Sequence, residues 1–139
     1  MLATDTSQCP TGDLLPIAGT HFDFTRERPL ADAQTGQPIG LDHSYVLESA
    51  ASQPSKLCVA AQLQNRTNGI SLTVETSQPC LQVYTASQLT APLTAYGAIC
   101  LEAQGFPNGP NLGLGEGMSI LGAGDSVTQR IIYRVGDAV

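Results

Sequence analysis

Short runs in which apolar and polar residues alternate recur along the chain between clusters of Gly, Pro, Asn and Ser, and no apolar stripe of helical period lasts three or four turns. The pattern predicts an all-β protein. Its clearest strands are residues 57–64, 70–75, where Ile70-Ser71-Leu72-Thr73-Val74-Glu75 alternates strictly, and 81–85. Asn68-Gly69 between the first two is a favoured hairpin turn because both residues tolerate positive φ, and Ser77-Gln78-Pro79 breaks the second from the third. The three are therefore expected as consecutive antiparallel strands. Further strands are predicted at 44–47, 98–104 and 127–135. The last carries Val127, Gln129, Ile131, Tyr133 and Val135 on one face and the mostly polar set Thr128, Arg130, Ile132 and Arg134 on the other.

Residues 1–40 read differently. Pro10-Thr11-Gly12-Asp13, Pro16, Gly19 and Thr35-Gly36-Gln37-Pro38 interrupt any long element, so this stretch is expected as ordered loops leading into the strands of 41–135, within one domain over 1–139. Residues 105–117 hold five glycines and two prolines with few large apolar side chains, as a binding loop or a connector would.

A chain of 139 residues can bury one core. Six basic against twelve acidic residues, a formal charge of −6 and no Lys/Arg cluster argue against a nucleic-acid backbone or an anionic membrane as partner. No apolar run reaches spanning length, and Met1-Leu2-Ala3-Thr4-Asp5 has neither the basic nor the apolar segment of a secretory signal, so a cytoplasmic location is expected. Cys9, Cys58, Cys80 and Cys100 form no C-x-x-C pair and only two histidines accompany them, which argues against zinc; an even count permits two disulfides in a secreted protein, but Cys58 and Cys100 lie in apolar strand-like runs, so free buried thiols are expected. Asn65-Arg66-Thr67 fits the glycosylation pattern and is read as a polar turn.

Three places can carry chemistry. Asp42 and His43 precede the 44–47 strand, where an Asp can accept hydrogen bonds from ligand hydroxyls or simply cap nearby backbone N–H groups. Adjacent residues on an extended chain point to opposite faces, so the two should not pair. Glu102 shares a strand face with Cys100 and Gln104 just before the Phe106-Pro107-Asn108-Gly109-Pro110-Asn111 loop, where its carboxylate can be a general base or a solvent-facing charge. Asn108 and Asn111 fit turn roles, and His21 fits a loop histidine among aromatics. No phosphate-cradling glycine motif and no nucleophile motif is present.

In chain order, Pro10-Thr11-Gly12, Phe22-Asp23-Phe24, Leu41-Asp42-His43-Ser44-Tyr45-Val46-Leu47, Val83-Tyr84-Thr85, Leu101-Glu102-Ala103-Gln104-Gly105-Phe106-Pro107-Asn108 and Arg130-Ile131-Ile132-Tyr133-Arg134 resemble the aldose 1-epimerases, the galactose mutarotase family. The resemblance runs from about residue 10 to residue 135 and matches the C-terminal portion of a typical member. Asn108 stands where the family often has Asp after the Pro. The resemblance implies an antiparallel β-sandwich of the supersandwich type, incomplete here, whose concave sheet lines a sugar cleft. It implies interconversion of the α and β anomers of free hexoses such as glucose or galactose by ring opening, with no metal or organic cofactor. Glu102 falls at the position of the general base and Asp42 at that of a ligand for sugar hydroxyls. The family's general acid, a histidine, belongs to upstream motifs that neither His21 nor His43 matches. An N-terminal polypeptide, or self-association through exposed sheet edges, is then the expected protein partner. Three alternatives stand beside this: a carbohydrate-binding half-domain without turnover; a relative acting on hexose 6-phosphates, for which Lys and Arg are scarce; and an interaction module built on the exposed sheet edge, in which the acid is incidental.

Overall fold

In the computed structural model, which describes residues 1–32, 34–48, 56–114 and 120–137, the alternating runs pair into two three-stranded antiparallel sheets and one two-stranded hairpin. Strands β3 (Asp42–Val46), β6 (Cys80–Tyr84) and β7 (Cys100–Gln104) form one sheet in that order. Strands β4 (Cys58–Asn65), β5 (Ile70–Thr76) and β8 (Ile131–Asp137) form the other, also in that order. The hairpin pairs β1 (Leu2–Thr4) with β2 (Pro10–Leu14), and a single turn of helix, α1 (Gly109–Leu112), follows β7. Residues 115–119, part of the glycine-rich stretch singled out above, lie outside the described residues.

Several sequence expectations are corrected. The strands at 57–64, 70–75 and 81–85 do not form one meander: β4 pairs with β5, but β6 belongs to the other sheet. The β4–β5 connection is a four-residue loop, not a two-residue turn, with Gly69 alone at positive φ, 71°. Asn65 shapes it, its Oδ1 accepting the N–H of Thr67 at 2.9 Å, while Asn68 Oδ1 accepts the N–H of Ile70 at 3.1 Å. Asp42 lies within a strand instead of preceding one. The final strand starts at Ile131 instead of Val127. The first forty residues, though mostly loops, include the β1–β2 hairpin, whose prolines and glycine hide it from pattern reading.

The sheets stack through one apolar layer. Leu41 and Leu81 are 1% and 2% exposed and Ile39 and Val83 are also buried, with Phe22, Phe24, Leu30, Tyr45, Ala60, Ala61, Ile99, Leu101 and Ala103 packed around them. Burial of each large aliphatic side chain contributes about 1.5–3 kcal/mol. A bulge between Val59 and Ala61 lets both Ala60 and Ala61 reach this layer, which strict alternation would forbid. An apolar groove of about 300 Å³ opens between the sheets, lined by residues of both.

The crossing from β5 to β6 is held by hydrogen bonds at Ser77-Gln78-Pro79. Thr76 Oγ1 donates to Arg130 O at 3.2 Å and accepts the Gln78 N–H at 2.9 Å, while the Arg130 N–H donates to Ser77 Oγ at 3.0 Å. The side chain of Gln78 is 1% exposed, yet neither its Nε2 nor its Oε1 is hydrogen-bonded. An amide left so costs about 1–3 kcal/mol.

His43 projects into the apolar layer, its ring 4.7 Å from that of Phe22, and its Nδ1 accepts the Asp42 N–H at 3.0 Å. Only the unprotonated nitrogen can accept. Burial, the main influence, holds the His43 pKa below its ordinary value near 6.5, with nearby His21 lowering it further and Asp42 opposing. All four cysteines are free thiols, but of the four expected to be buried only Cys80 is: Cys58 and Cys100 are half-buried and Cys9, in the β1–β2 turn, is exposed. Burial pushes the Cys80 pKa up to about 11 against a smaller opposing effect of the Ser44 hydroxyl. No helix among the described residues is long and apolar enough to cross a membrane.

Three outcomes are expected. Gln78→Met should raise stability by about 1–2 kcal/mol, read as a higher melting temperature, since it removes two unpaired polar atoms at similar volume; a lower melting temperature would show the amide to be satisfied in solution. For His43, the unfolded chain binds the proton more readily than the folded one, so stability is fully present above pH 6.5 and falls as the pH drops through and below that value. Thermal melts of wild type and His43→Phe between pH 8 and 5 check this, the variant showing the flatter profile. Alkylation followed by mass mapping should modify exposed Cys9 in the native protein and Cys80 only after unfolding.

Candidate functional site

Strand register gives the β3-β6-β7 sheet two unlike faces. Ser44, Gln82 and Glu102 stand opposite one another across the three strands, with the row Asp42, Tyr84 and Cys100 on one side of them and the row Val46, Cys80 and Gln104 on the other. Because side chains alternate with period two, these rows share a face, and His43, Tyr45, Leu81, Val83, Leu101 and Ala103 turn to the core. The expected sharing of one face by Cys100, Glu102 and Gln104, and the divergence of Asp42 from His43, are both present.

This polar face is the floor of a cleft of about 630 Å³. Leu2, Thr4, Gln8 and Pro10 of the β1–β2 hairpin form one wall, Ser87 and Gln88 after β6 another, and Pro107 closes the end beyond β7. Asn108 ties these parts together instead of facing a ligand. Its Nδ2 donates to Pro10 O at 3.3 Å and approaches Cys9 Sγ at 3.5 Å, its Oδ1 accepts from Asn111 Nδ2 at 2.6 Å, and its backbone is left-handed at φ 58°. Gly12 lies over the Leu112 side chain of α1, and its φ of 95° is one that side chains rarely allow, which is why glycine stands there. The Phe-Pro-Asn loop is thus a strut for the hairpin.

On the opposite wall Thr85, buried just past β6, accepts the Leu41 N–H and donates to Ile39 O, both at 2.8 Å. The Tyr84 hydroxyl accepts the Gln88 N–H at 3.2 Å. Ala86 and Tyr96 hold positive φ of 55° and 59°, and the Tyr96 N–H donates to Ala86 O at 2.9 Å, closing the loop between them. Non-glycine residues take that conformation at a cost, which the surrounding hydrogen bonds must offset.

Within the cleft Asp42 Oδ1 accepts a hydrogen bond from Gln82 Nε2 at 2.8 Å. The carboxamide thereby fixes the orientation of a carboxylate that lines the cleft. Glu102 lies on the far side of Gln82, exposed, on the outermost strand of the sheet. Strand spacing and rise put the α-carbons of Asp42 and Glu102 roughly 12 Å apart, with Gln82 between them. Sequence reasoning picked out both acids but missed Gln82, Ser44 and Tyr84. The alternation of Leu81-Gln82-Val83-Tyr84 was the available signal, since it puts Gln82 and Tyr84 together on the non-core face.

Among the described residues the polar lining is two carboxylates, several carboxamides and hydroxyls and the edge of His43, with no lysine or arginine. Such a set accepts and donates hydrogen bonds to a neutral polyhydroxyl ligand and repels a phosphate. His43 borders the cleft, but its ring rests on Phe22 and its Nδ1 is taken by the Asp42 N–H. His21 is exposed and stacks on Phe22 with ring centroids 3.8 Å apart, outside the cleft. Among the described residues no group of three or more His, Cys, Asp or Glu side chains is placed to hold a metal ion.

The aldose 1-epimerase family profile matches residues 1–134. The chain is 34% identical over 123 residues to the aldose 1-epimerase of Haemophilus influenzae, covering 79% of this chain and 34% of that protein. It is 31% identical over 115 residues to the maltose epimerase of Levilactobacillus brevis (77% and 32% covered) and 31% identical over 119 residues to the galactose mutarotase of Mus musculus (79% and 34% covered). The match therefore spans about a third of the length of these curated relatives. In fold, the chain superposes on the GalM/aldose epimerase homologue from C. elegans with a TM-score of 0.77 at 23% identity, over 99% of this chain and 43% of that one. Register, cleft and profile converge, and the chain belongs to the aldose 1-epimerase family.

Proposed function

We propose that the cleft serves 1-epimerisation of a free hexose, with Glu102 as general base and Asp42 as a ligand for sugar hydroxyls. Glu102 takes the proton of the C1 hydroxyl as the bond from C1 to the ring oxygen breaks, and that oxygen is protonated by an acid. The open-chain aldehyde turns about C1–C2 and the same transfers run in reverse to close the ring as the other anomer. The observation that carries this reading is the shared face of Asp42, Gln82 and Glu102, with Asp42 held by Gln82 at 2.8 Å. A carboxylate already oriented loses little on taking a charge-assisted hydrogen bond from a hydroxyl, and it fixes the ring against the base.

The acid is not supplied by the described lining, where His43 is engaged on the core side. Its absence favours a second reading, a sugar-binding half-cleft without turnover. A role on hexose 6-phosphates has no such support, because among the described residues no lysine or arginine lines the cleft.

Mutarotation of α-D-glucose and α-D-galactose, followed by polarimetry on this chain and its variants, separates the readings. Glu102→Gln should lower the protein-dependent rate by about 10²- to 10⁴-fold. Asp42→Asn should weaken sugar binding by about 1.5–3 kcal/mol. Equal rates for wild type and Glu102→Gln would remove Glu102 from the role of base. Sugar binding that depends on Asp42 but comes with no turnover in any variant would establish the half-cleft instead.

A further inference from the structure

Asp42 opens β3 on an outer strand of its sheet, and its backbone N–H takes no part in the ladder. The Thr85 N–H donates to Leu41 O at 3.0 Å and the Leu47 N–H to Pro79 O at 2.8 Å, so the odd-numbered residues of β3 are the ones bonded toward β6. The Asp42 N–H therefore points away from the sheet. The side chain of the next residue takes it, His43 Nδ1 accepting it at 3.0 Å. This contact closes a small ring through the Asp42 carbonyl carbon, the His43 α-carbon and the imidazole. It fixes ψ of Asp42 and φ of His43, and with them the direction in which the Asp42 side chain leaves the strand.

The imidazole that supplies the acceptor is itself held. It is half-buried, with its centroid 4.7 Å from that of Phe22, and the Phe22 carbonyl accepts the Tyr45 hydroxyl at 3.1 Å. Asp42 is thus gripped at two points, its N–H by His43 and its carboxylate by Gln82 Nε2 at 2.8 Å. Only the first grip depends on the protonation of an imidazole. The titratable groups around that ring are few. Its own strand brings Asp42 and Tyr45, whose phenol is pushed up to about 12, chiefly by burial, and stays neutral. The preceding loop brings His21, stacked on Phe22, and Asp23, whose carboxylate is taken up by Gly19 and Thr25. On β6 Val83 stands opposite His43, with Cys80 and Tyr84 on the other face, and β1, packed beside β3, has no titratable side chain. Glu102 is separated from it by Gln82.

We propose that His43 is a positioning residue whose unprotonated Nδ1 latches the backbone of Asp42, so that protonation of the ring releases the carboxylate from its place in the cleft. An imidazolium carries hydrogen on both nitrogens, so Nδ1 turns from acceptor to donor and two N–H groups would face each other at 3.0 Å. The ring must rotate off the Asp42 N–H, and its positive charge then draws the adjacent carboxylate away from Gln82. Both effects act in the same direction. Burial, helped by His21 and opposed by Asp42, favours the neutral ring, so the latch is engaged at neutral pH and opens as the pH falls below 6.5. A ligand that needs the held carboxylate must, by linkage, disfavour protonation of His43 by the same factor. That this ligand is a sugar rests on the proposed function; the latch itself does not.

Nuclear magnetic resonance of the isotope-labelled 139-residue chain between pH 8 and 5 tests the latch with no ligand present. The ring nitrogens of His43 report its protonation, and the Asp42 amide and the Gln82 side-chain amide are expected to shift with the same midpoint. His43→Asn is the conservative variant, because its Oδ1 is bonded to Cγ as Nδ1 is and accepts without a proton to gain; both signals should then stay in place over this range. Glucose or galactose, titrated into the same samples, should bind wild type about three- to tenfold more weakly at pH 5 than at pH 7.5. Affinity for His43→Asn should match wild type at pH 7.5 and stay level, and His43→Phe should bind weakly at both. Asp42 and Gln82 signals that do not follow the His43 ring overturn the latch, a result the wild-type titration gives whether or not a variant folds. So does a pH profile of sugar affinity that His43→Asn shares with wild type, or a His43→Asn affinity at pH 7.5 as low as that of His43→Phe. Signals that follow the ring in a chain that binds neither sugar establish the latch and count only against the proposed function.

Discussion

Strand β6 is the constraint on which the rest depends. It is the central strand of its sheet, paired with β3 on one side and β7 on the other, so its alternation sets what both of them present. Leu81 and Val83 anchor the core, and the residues between and after them, Gln82 and Tyr84, form the cleft floor. A register slip of one residue in either pairing would turn Asp42 or Glu102 into the apolar layer. The apolar packing that stabilises the sandwich and the placement of the two acids are therefore one interaction seen from two faces. Thr85 extends the same control past the strand end, because its buried hydroxyl bridges Ile39 and Leu41 and aligns the approach to Asp42.

What was legible in the sequence followed from this period of two. Strict alternation at 70–75 gave β5 and its buried Val74, and alternation around Glu102 gave the shared face with Cys100 and Gln104. Periodicity is local, however, and says nothing of which sheet a strand joins. The transfer of β6 to the other sheet depends on Ser77 and Thr76 meeting Arg130, residues more than fifty positions apart, and no local signal encodes that. The bulge at Val59/Ala61 hid the core role of Ala60 for the same reason.

The cleft was less legible than the fold. Asp42 and Glu102 could be singled out because a resemblance weighted them, but Gln82 lies in a run that pattern reading treats only as a strand. Asn108 shows the converse. It sits in the tract that draws the eye, yet its amide spans nearly a hundred residues to Pro10 and builds a wall instead of binding a ligand. The hairpin it supports was invisible beforehand, since Pro10 and Gly12 read as breakers and serve here as an edge-strand start and a positive-φ glycine within the strand.

The two acids differ in how completely their surroundings are determined. Asp42 is oriented by Gln82 and backed by the His43 contact to its own backbone, so its geometry is set within the chain. Glu102 is on an outer strand, with Gln82 on one flank and, among the described residues, no paired strand on the other. A general base needs a fixed position and controlled solvation more than it needs an unusual side chain. The same central strand therefore holds both acids, Asp42 by the side-chain hydrogen bond of Gln82 and Glu102 by backbone pairing opposite Gln82.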